Sequence, residues 1–316
     1  MTTSLLKYLL IALALCSCAT TSQNNKRQET DNKAIFETYA QPEIAANDTL
    51  RSLMDLPQTE YGGFVLKPGL YETDFKTYCL QPGTPDPRKG DAYYQGPVTG
   101  HRKEIVETVL LNSRDKKEID QKNIQLLLWS IVSGSNFNSL PYEVQSDAMK
   151  LLTPKQIFEL KGGVMGLIKN AASTSGISNS NNDILRLFET GIKSYEAYER
   201  IAVRSERSKV IKSGVKYDQW YKQKEKYYVR YFPENYKKVK IQIYVPNDLL
   251  DNENRLNGDY LVFDPTGLEA APAYTNAQRL GVGAPVIDIV RAVIKTNRQP
   301  PAPKKLPEKK TSKPGV

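Results

Sequence analysis

Between His101 and Leu160 apolar side chains return every three or four residues, whereas from about Tyr227 they return every second residue. That change of period constrains the fold most, because a stripe at 3.6 residues buries one face of a helix and alternation buries one face of a strand. His101 to Asn112 places Ile105, Val106, Val109 and Leu110 on one stripe. From Asp120, a good N-cap, to Ser133 the residues Ile124, Leu127, Leu128 and Ile131 are joined by apolar neighbours nearly all round, which predicts a helix buried on most sides. Pro141 to Leu152 is amphipathic through Val144, Ala148 and Leu151. Thr153-Pro154-Lys155-Gln156 has the form of a capping box with proline at the first helical position, and Gly162-Gly163 ends that helix.

The second texture lies beyond a polar stretch, Ser173 to Asn182, which is expected to be a linker. Asp183 to about Ser208 reads as one long helix with Ile184, Leu187, Phe188, Ile192, Tyr195 and Tyr198 on its buried side. Tyr227 to Phe232, Val239 to Val245 and Tyr260 to Phe263 then alternate and are bounded by Pro233, Pro246 and Pro265, as antiparallel strands with one face on a core would be. A helix near Val286 to Ile294 is expected to close the sheet. Ahead of the helices, Phe64 to Leu66, Gly69 to Tyr71 and Thr77 to Leu80 look like short strands, and the Gly- and Pro-dense run from Gln81 to Gly100 looks like loop. The expected class is α+β, a helical cluster with short strands followed by a small antiparallel β-rich domain. The expected units are a flexible tether over 18–55, a mainly helical domain over 56–172, a linker over 173–182 and a helix plus β-rich domain over 183–297. A Pro- and Lys-rich tail over 298–316 cannot bury enough apolar surface to offset its ordering entropy.

The N-terminus sets the expected compartment. Lys7 is followed by a continuous apolar run from Tyr8 to Leu15. A membrane-spanning helix needs roughly 20 such residues, so this shorter run reads as the core of a signal peptide over 1–17. Leu15-Cys16-Ser17-Cys18 resembles the lipobox of bacterial lipoproteins. The resemblance implies lipidation of Cys18 after cleavage, with palmitate among the acyl chains, and membrane attachment through that lipid. No aspartate follows Cys18, which by the same resemblance implies the outer membrane, on its periplasmic or its surface face.

Of the three cysteines, Cys16 leaves with the signal and Cys18 carries lipid, so Cys79 remains without a disulfide partner. A free thiol, an intermolecular bridge and a buried inert side chain are all open. No metal is expected, since a lone cysteine and a single histidine, His101, fall short of the three or four ligands zinc needs. No pattern calls for a cofactor. The net charge of +9 is concentrated at the ends, because Lys7 and the six basic residues of the tail set against Glu308 leave a nearly balanced body. That balance argues against a nucleic-acid partner and leaves an envelope protein or a cell-surface polymer.

Two kinds of chemistry suit Cys79. A cysteine hydrolase of the cell-wall peptidase type would use His101 as the base that makes the thiolate, and His101 follows the flexible loop closely enough to be considered. The second kind involves Gln125 and Trp129, four residues apart on one helix face. An apolar-Cys-apolar strand, Tyr78-Cys79-Leu80, beside a Pro-Gly loop and followed by a helix bearing Gln-x-x-x-Trp resembles bacterial thioester domains. That resemblance implies an internal thioester between the Cys79 sulfur and the Gln125 side-chain carbonyl, able to capture an amine on another molecule. The same residues also fit an ordinary core, with Cys79 as a small hydrophobe and Gln125 as a hydrogen-bonded helix residue.

Other features carry less. The aromatic run from Tyr217 to Tyr236 fits sheet packing as well as stacking on sugar rings, and 264–285 is expected to be a long loop. The acidic residues Glu104, Glu107, Asp115, Glu118 and Asp120 are scattered among lysines as on a solvated surface. The expected function is a non-catalytic binding or assembly component of the cell envelope, with adhesion through the thioester as one route and the Cys79–His101 hydrolase as the alternative.

Overall fold

The structure, a computed structural model, describes residues 41–44, 48–162, 179–206, 216–223, 226–273, 277–287 and 292–296. The expected signal peptide over 1–17, Cys18 and the 298–316 stretch lie outside the described residues, as do most of the expected tether and residues 173–178 of the expected linker.

The protein is α+β. Its strands in the first half are β1 (Leu50–Ser52), β2 (Gln58–Thr59), β3 (Phe64–Val65), β4 (Gly69–Cys79), β5 (Thr84–Pro85) and β6 (Tyr93–Pro97). Helices α1 (Lys103–Asn112), α2 (Gln121–Ser133), α3 (Tyr142–Leu151) and α4 (Pro154–Leu160) follow, close to the expected spans. Asp120 caps α2 by accepting from the Lys122 N–H, and Thr153 and Gln156 form the capping box of α4. The expected long helix is broken into α5 (Asn179–Glu189) and α6 (Tyr195–Ala202), with Gly191 between them at a φ of 69°, a conformation that glycine adopts freely. The Tyr198 hydroxyl then donates to the Ile192 carbonyl across the break.

The second half contributes β7 (Val203–Arg204), β8 (Tyr221–Gln223), β9 (Tyr227–Asn235), β10 (Lys238–Val245), β11 (Arg255–Leu256), β12 (Asp259–Tyr260), β13 (Val262–Phe263), β14 (Leu268–Pro272), β15 (Leu280–Pro285) and β16 (Val293–Ile294). The main sheet runs β4-β10-β9-β6-β14-β15, and β15 pairs back onto β4, so these strands close into an antiparallel barrel-like ring. Strands from before and after residues 173–182 therefore share one sheet, where the sequence suggests two separate units. The reason is that β4 and β6 find their partners in the ring more than a hundred residues away, and no local pattern encodes such pairings.

Strand β4 organises the ring. One edge pairs with β10 from Gly69 to Lys76. The opposite edge is shared, with β1 parallel along Leu70 to Glu72 and β15 antiparallel from Phe75 to Cys79. Tyr71, Phe75, Thr77 and Cys79 recur at period two and are all buried, while Glu72, Thr73 and Asp74 are half-buried. That polar middle makes one long strand look like two short ones.

Strands β14 and β15 occupy the 264–285 stretch expected to be loop; of the terminal helix expected near Val286 to Ile294, residues 288–291 lie outside the described residues, and Val293–Ile294 form β16. Glycine explains the first difference. A Cβ at Gly281 would come within 2.8 Å of a Leu110 methyl carbon, and one at Gly283 within 2.8 Å of the Tyr78 ring. These glycines let β15 lie close under α1 and against β4, so they serve contact where in sequence they look like turn signals. Among the described residues no helix is long and apolar enough to cross a membrane.

Candidate functional site

The β10 partner of β4 gives out at the end of the strand. The Thr77 N–H donates to Lys237 O at 2.8 Å, and beyond it Cys79 has no strand on that side. Two glutamines of α2 fill the gap. Gln121 donates its side-chain N–H to Thr77 O at 3.1 Å and to Lys237 O at 2.9 Å. One turn on, Gln125 grips Cys79 twice, accepting the Cys79 N–H on Oε1 at 2.8 Å and donating from Nε2 to Cys79 O at 3.0 Å. Spacing allows this, because four helical residues rise about 6 Å and two strand residues span about 6.8 Å. The Gln125 carboxamide thus does for Cys79 what a neighbouring peptide would do.

Both residues are sealed off. Cys79 is 0% exposed and Gln125 1%. Leu280 faces Cys79 in the register of β15, and the Leu80 N–H donates to Arg279 O on that side. Burial pushes the Cys79 thiol up to about 12, although the Trp129 indole and a backbone hydrogen bond at Gln81 work the other way. The thiol is protonated at neutral pH. The Trp129 indole N–H finds no acceptor at hydrogen-bonding geometry, yet it lies near enough to the sulfur to favour negative charge there.

Trp129 is fully buried, and its outer face carries a layer of tyrosines. Tyr195, the first residue of α6, stacks on it at 5.6 Å between centroids, and Tyr236, in the β9–β10 turn, tilts against it at 6.3 Å. The two hydroxyls are 2.8 Å apart, and Tyr236 donates to Glu199. An open cleft of about 430 Å³ lies outside this layer, lined among others by Asp86, Glu199, Arg200, Asn235, Tyr236 and Lys237. Its rim is held by β5 and β7, which pair in parallel and join the loop after Cys79 to the end of α6.

Of the residues singled out in the sequence, Cys79, Gln125 and Trp129 come together. His101 does not join them, since it sits exposed in the turn before α1 and is not among the groups that bear on the thiol. Cys18 lies outside the described residues. Tyr195, Tyr236 and Glu199 are site residues that sequence reasoning missed. The available signals were the buried stripe that contains Tyr195 and the aromatic run that ends at Tyr236. Among the described residues no group of three or more His, Cys, Asp or Glu side chains could hold a metal ion.

The burial has a direct chemical consequence. Iodoacetamide added to the native protein should leave Cys79 unmodified over hours, because the reagent needs an accessible thiolate and the site offers neither access nor thiolate. Intact mass after native treatment checks this, and rapid addition of one carbamidomethyl group would contradict the packing described.

Comparison of the chain with known protein families, with curated proteins and with solved structures finds no match.

Proposed function

We propose that this chain is a lipid-anchored protein of the bacterial outer envelope that attaches to other molecules through an internal thioester between Cys79 and Gln125. The observation that carries this reading is the double hydrogen bond by which the Gln125 carboxamide is held on the Cys79 main chain, 46 residues away in sequence, with both residues buried. In forming the bond, the Cys79 sulfur attacks the Gln125 carbonyl carbon. The new S–C bond replaces the C–N bond, and the thiol proton leaves with the nitrogen as ammonia. Exclusion of water then protects the acyl group from hydrolysis until an amine arrives.

One observation favours a second reading. Gln121 clamps the edge of β4 at Thr77 in a similar manner, with no cysteine involved. On that reading Gln125 is a structural clamp, and the protein is a non-covalent binding or assembly component. The experiment that separates the two is incubation of the purified mature chain with a biotinylated primary amine. Covalent uptake of one equivalent in the wild type, and none in Cys79→Ala or Gln125→Ala, is expected of the thioester, while no uptake by any of the three leaves the clamp.

The anchoring half of the proposal rests on the Leu15-Cys16-Ser17-Cys18 pattern. Growth of the expressing bacterium with radiolabelled palmitate should label the wild type in the outer-membrane fraction. Cys18→Ser should abolish labelling and release the protein from the membrane. An unlabelled wild type would contradict lipidation without touching the thioester.

A further inference from the structure

We propose that the indole N–H of Trp129 is the donor that receives negative charge on the Cys79 sulfur as the bond between that sulfur and the Gln125 carbonyl carbon forms or breaks. This inference rests on the thioester reading above and gives Trp129 a catalytic role within it.

The placement follows from the way α2 is laid along β4. Gln121 holds Thr77 O and Gln125 holds both main-chain groups of Cys79, so two successive turns of the helix match two successive pleats of the strand. Trp129 stands one further turn along. Long side chains on a helix lean back over the preceding turn, which here is the turn that carries Gln125. The indole is thereby brought back towards the rung at which Gln125 meets Cys79. It is held there from outside, because Tyr195 stacks on it with the ring planes 27° apart and Tyr236 tilts against it.

A second observation is independent of that placement. The Trp129 indole nitrogen is buried and, among the described residues, its N–H meets no acceptor at hydrogen-bonding geometry. A donor buried without an acceptor is destabilising, and native proteins leave few such groups. The indole N–H can only donate, so it suits an atom that becomes a strong acceptor during a reaction and is a weak one before it. Sulfur behaves in that way, accepting weakly as a thiol and strongly once it is charged. Burial raises the Cys79 thiol, and of the groups that oppose burial the Trp129 side chain comes first, followed by the Gln81 main-chain N–H. The Thr77 hydroxyl, also buried and without a partner, lies two residues back, about 6.8 Å along β4.

In the proposed step an amine nitrogen bonds to the Gln125 carbonyl carbon and the C–S bond breaks, with its electron pair going to sulfur. The Trp129 N–H donates to the sulfur while that charge is present. A proton then moves from the amine nitrogen to the sulfur, so thioester and amine become amide and thiol. The indole keeps its own proton throughout. Formation of the thioester with release of ammonia is the same reaction in reverse, so the same donor assists it.

The test replaces Trp129 alone, by nonsense suppression in the full chain, with 3-benzothienylalanine, which keeps the fused bicyclic shape and has sulfur in place of the N–H. Methylamine uptake by the purified mature chain is followed by intact mass and expressed per thioester-bearing molecule. The replacement is expected to slow uptake about 10- to 100-fold, as loss of one hydrogen bond to a developing charge should, and to slow thioester formation with it. Its urea midpoint should equal or exceed that of the wild type, because an unsatisfied donor has left the interior. A packing role alone would not give slower capture in a chain that is no less stable. Trp129→Phe should be slowed at least as much, but it also leaves a cavity, so the isosteric replacement decides. A wild-type uptake rate in that replacement would overturn the donor role and leave the thioester standing. Absence of the thioester from the wild type would overturn both together.

Discussion

Trp129→Ala is expected to destabilise the protein by about 3–5 kcal/mol, the range for removing a fully buried aromatic side chain. The cost combines lost apolar burial with a cavity that cannot close. Trp129 is 0% exposed, and around it stand the end of β4, Tyr195 and Tyr236. Those tyrosines cannot fall inward without breaking the hydrogen bond between them and the one to Glu199. Urea unfolding followed by the fluorescence of Trp220, the other tryptophan, measures the effect. Trp220 is itself fully buried beneath the Arg230 guanidinium, so its emission should report global unfolding. A loss under 1 kcal/mol would mean that the aromatic layer is not packed as described.

Arg279→Ala should have an effect of similar size for a different reason. Glu269 is 2% exposed, and Arg279 grips both of its oxygens at 2.6 Å while also donating to Thr99 O at 2.7 Å. Removing the guanidinium strands a buried carboxylate, which costs about 3–5 kcal/mol, whereas replacing both partners by apolar residues of similar volume is often neutral or better. The double variant Arg279→Met, Glu269→Met should therefore recover most of the loss in the same urea experiment. Because the Arg279 carbonyl also accepts from the Leu80 N–H beside Cys79, the single variant should also loosen the packing over that end of β4. A single variant as stable as the wild type would show that Glu269 reaches water.

The helices over 101–160 were legible because their information is local: stripe, cap and stop signal all lie within a dozen residues. Strand pairing is not local. Glu72, Thr73 and Asp74 split β4 into two apparent pieces, and Gly281 and Gly283 disguise β15 as loop, since both signals become meaningful only once the neighbouring chain is in place. The same limit applies to the site. Cys79, Gln125 and Trp129 could be picked out together because Gln-x-x-x-Trp is a helical spacing and the Cys-bearing strand precedes it. Tyr236 reaches Trp129 only because the β9–β10 hairpin turns there, a fact of register that leaves no trace in the residues themselves. Tyr195 is visible as a buried position, but its hydroxyl partner is not.

The intact mass of the purified mature wild type, taken in denaturant at mildly acidic pH, tests the central claim most directly. The predicted mass is about 17 Da below that of the lipidated sequence with Cys79 and Gln125 unlinked, and with Cys18 lipidated no thiol is available to iodoacetamide even after unfolding. In Cys79→Ala and Gln125→Ala the deficit should be absent. A wild type at full mass, with one thiol that alkylates as soon as the chain is unfolded, would contradict it.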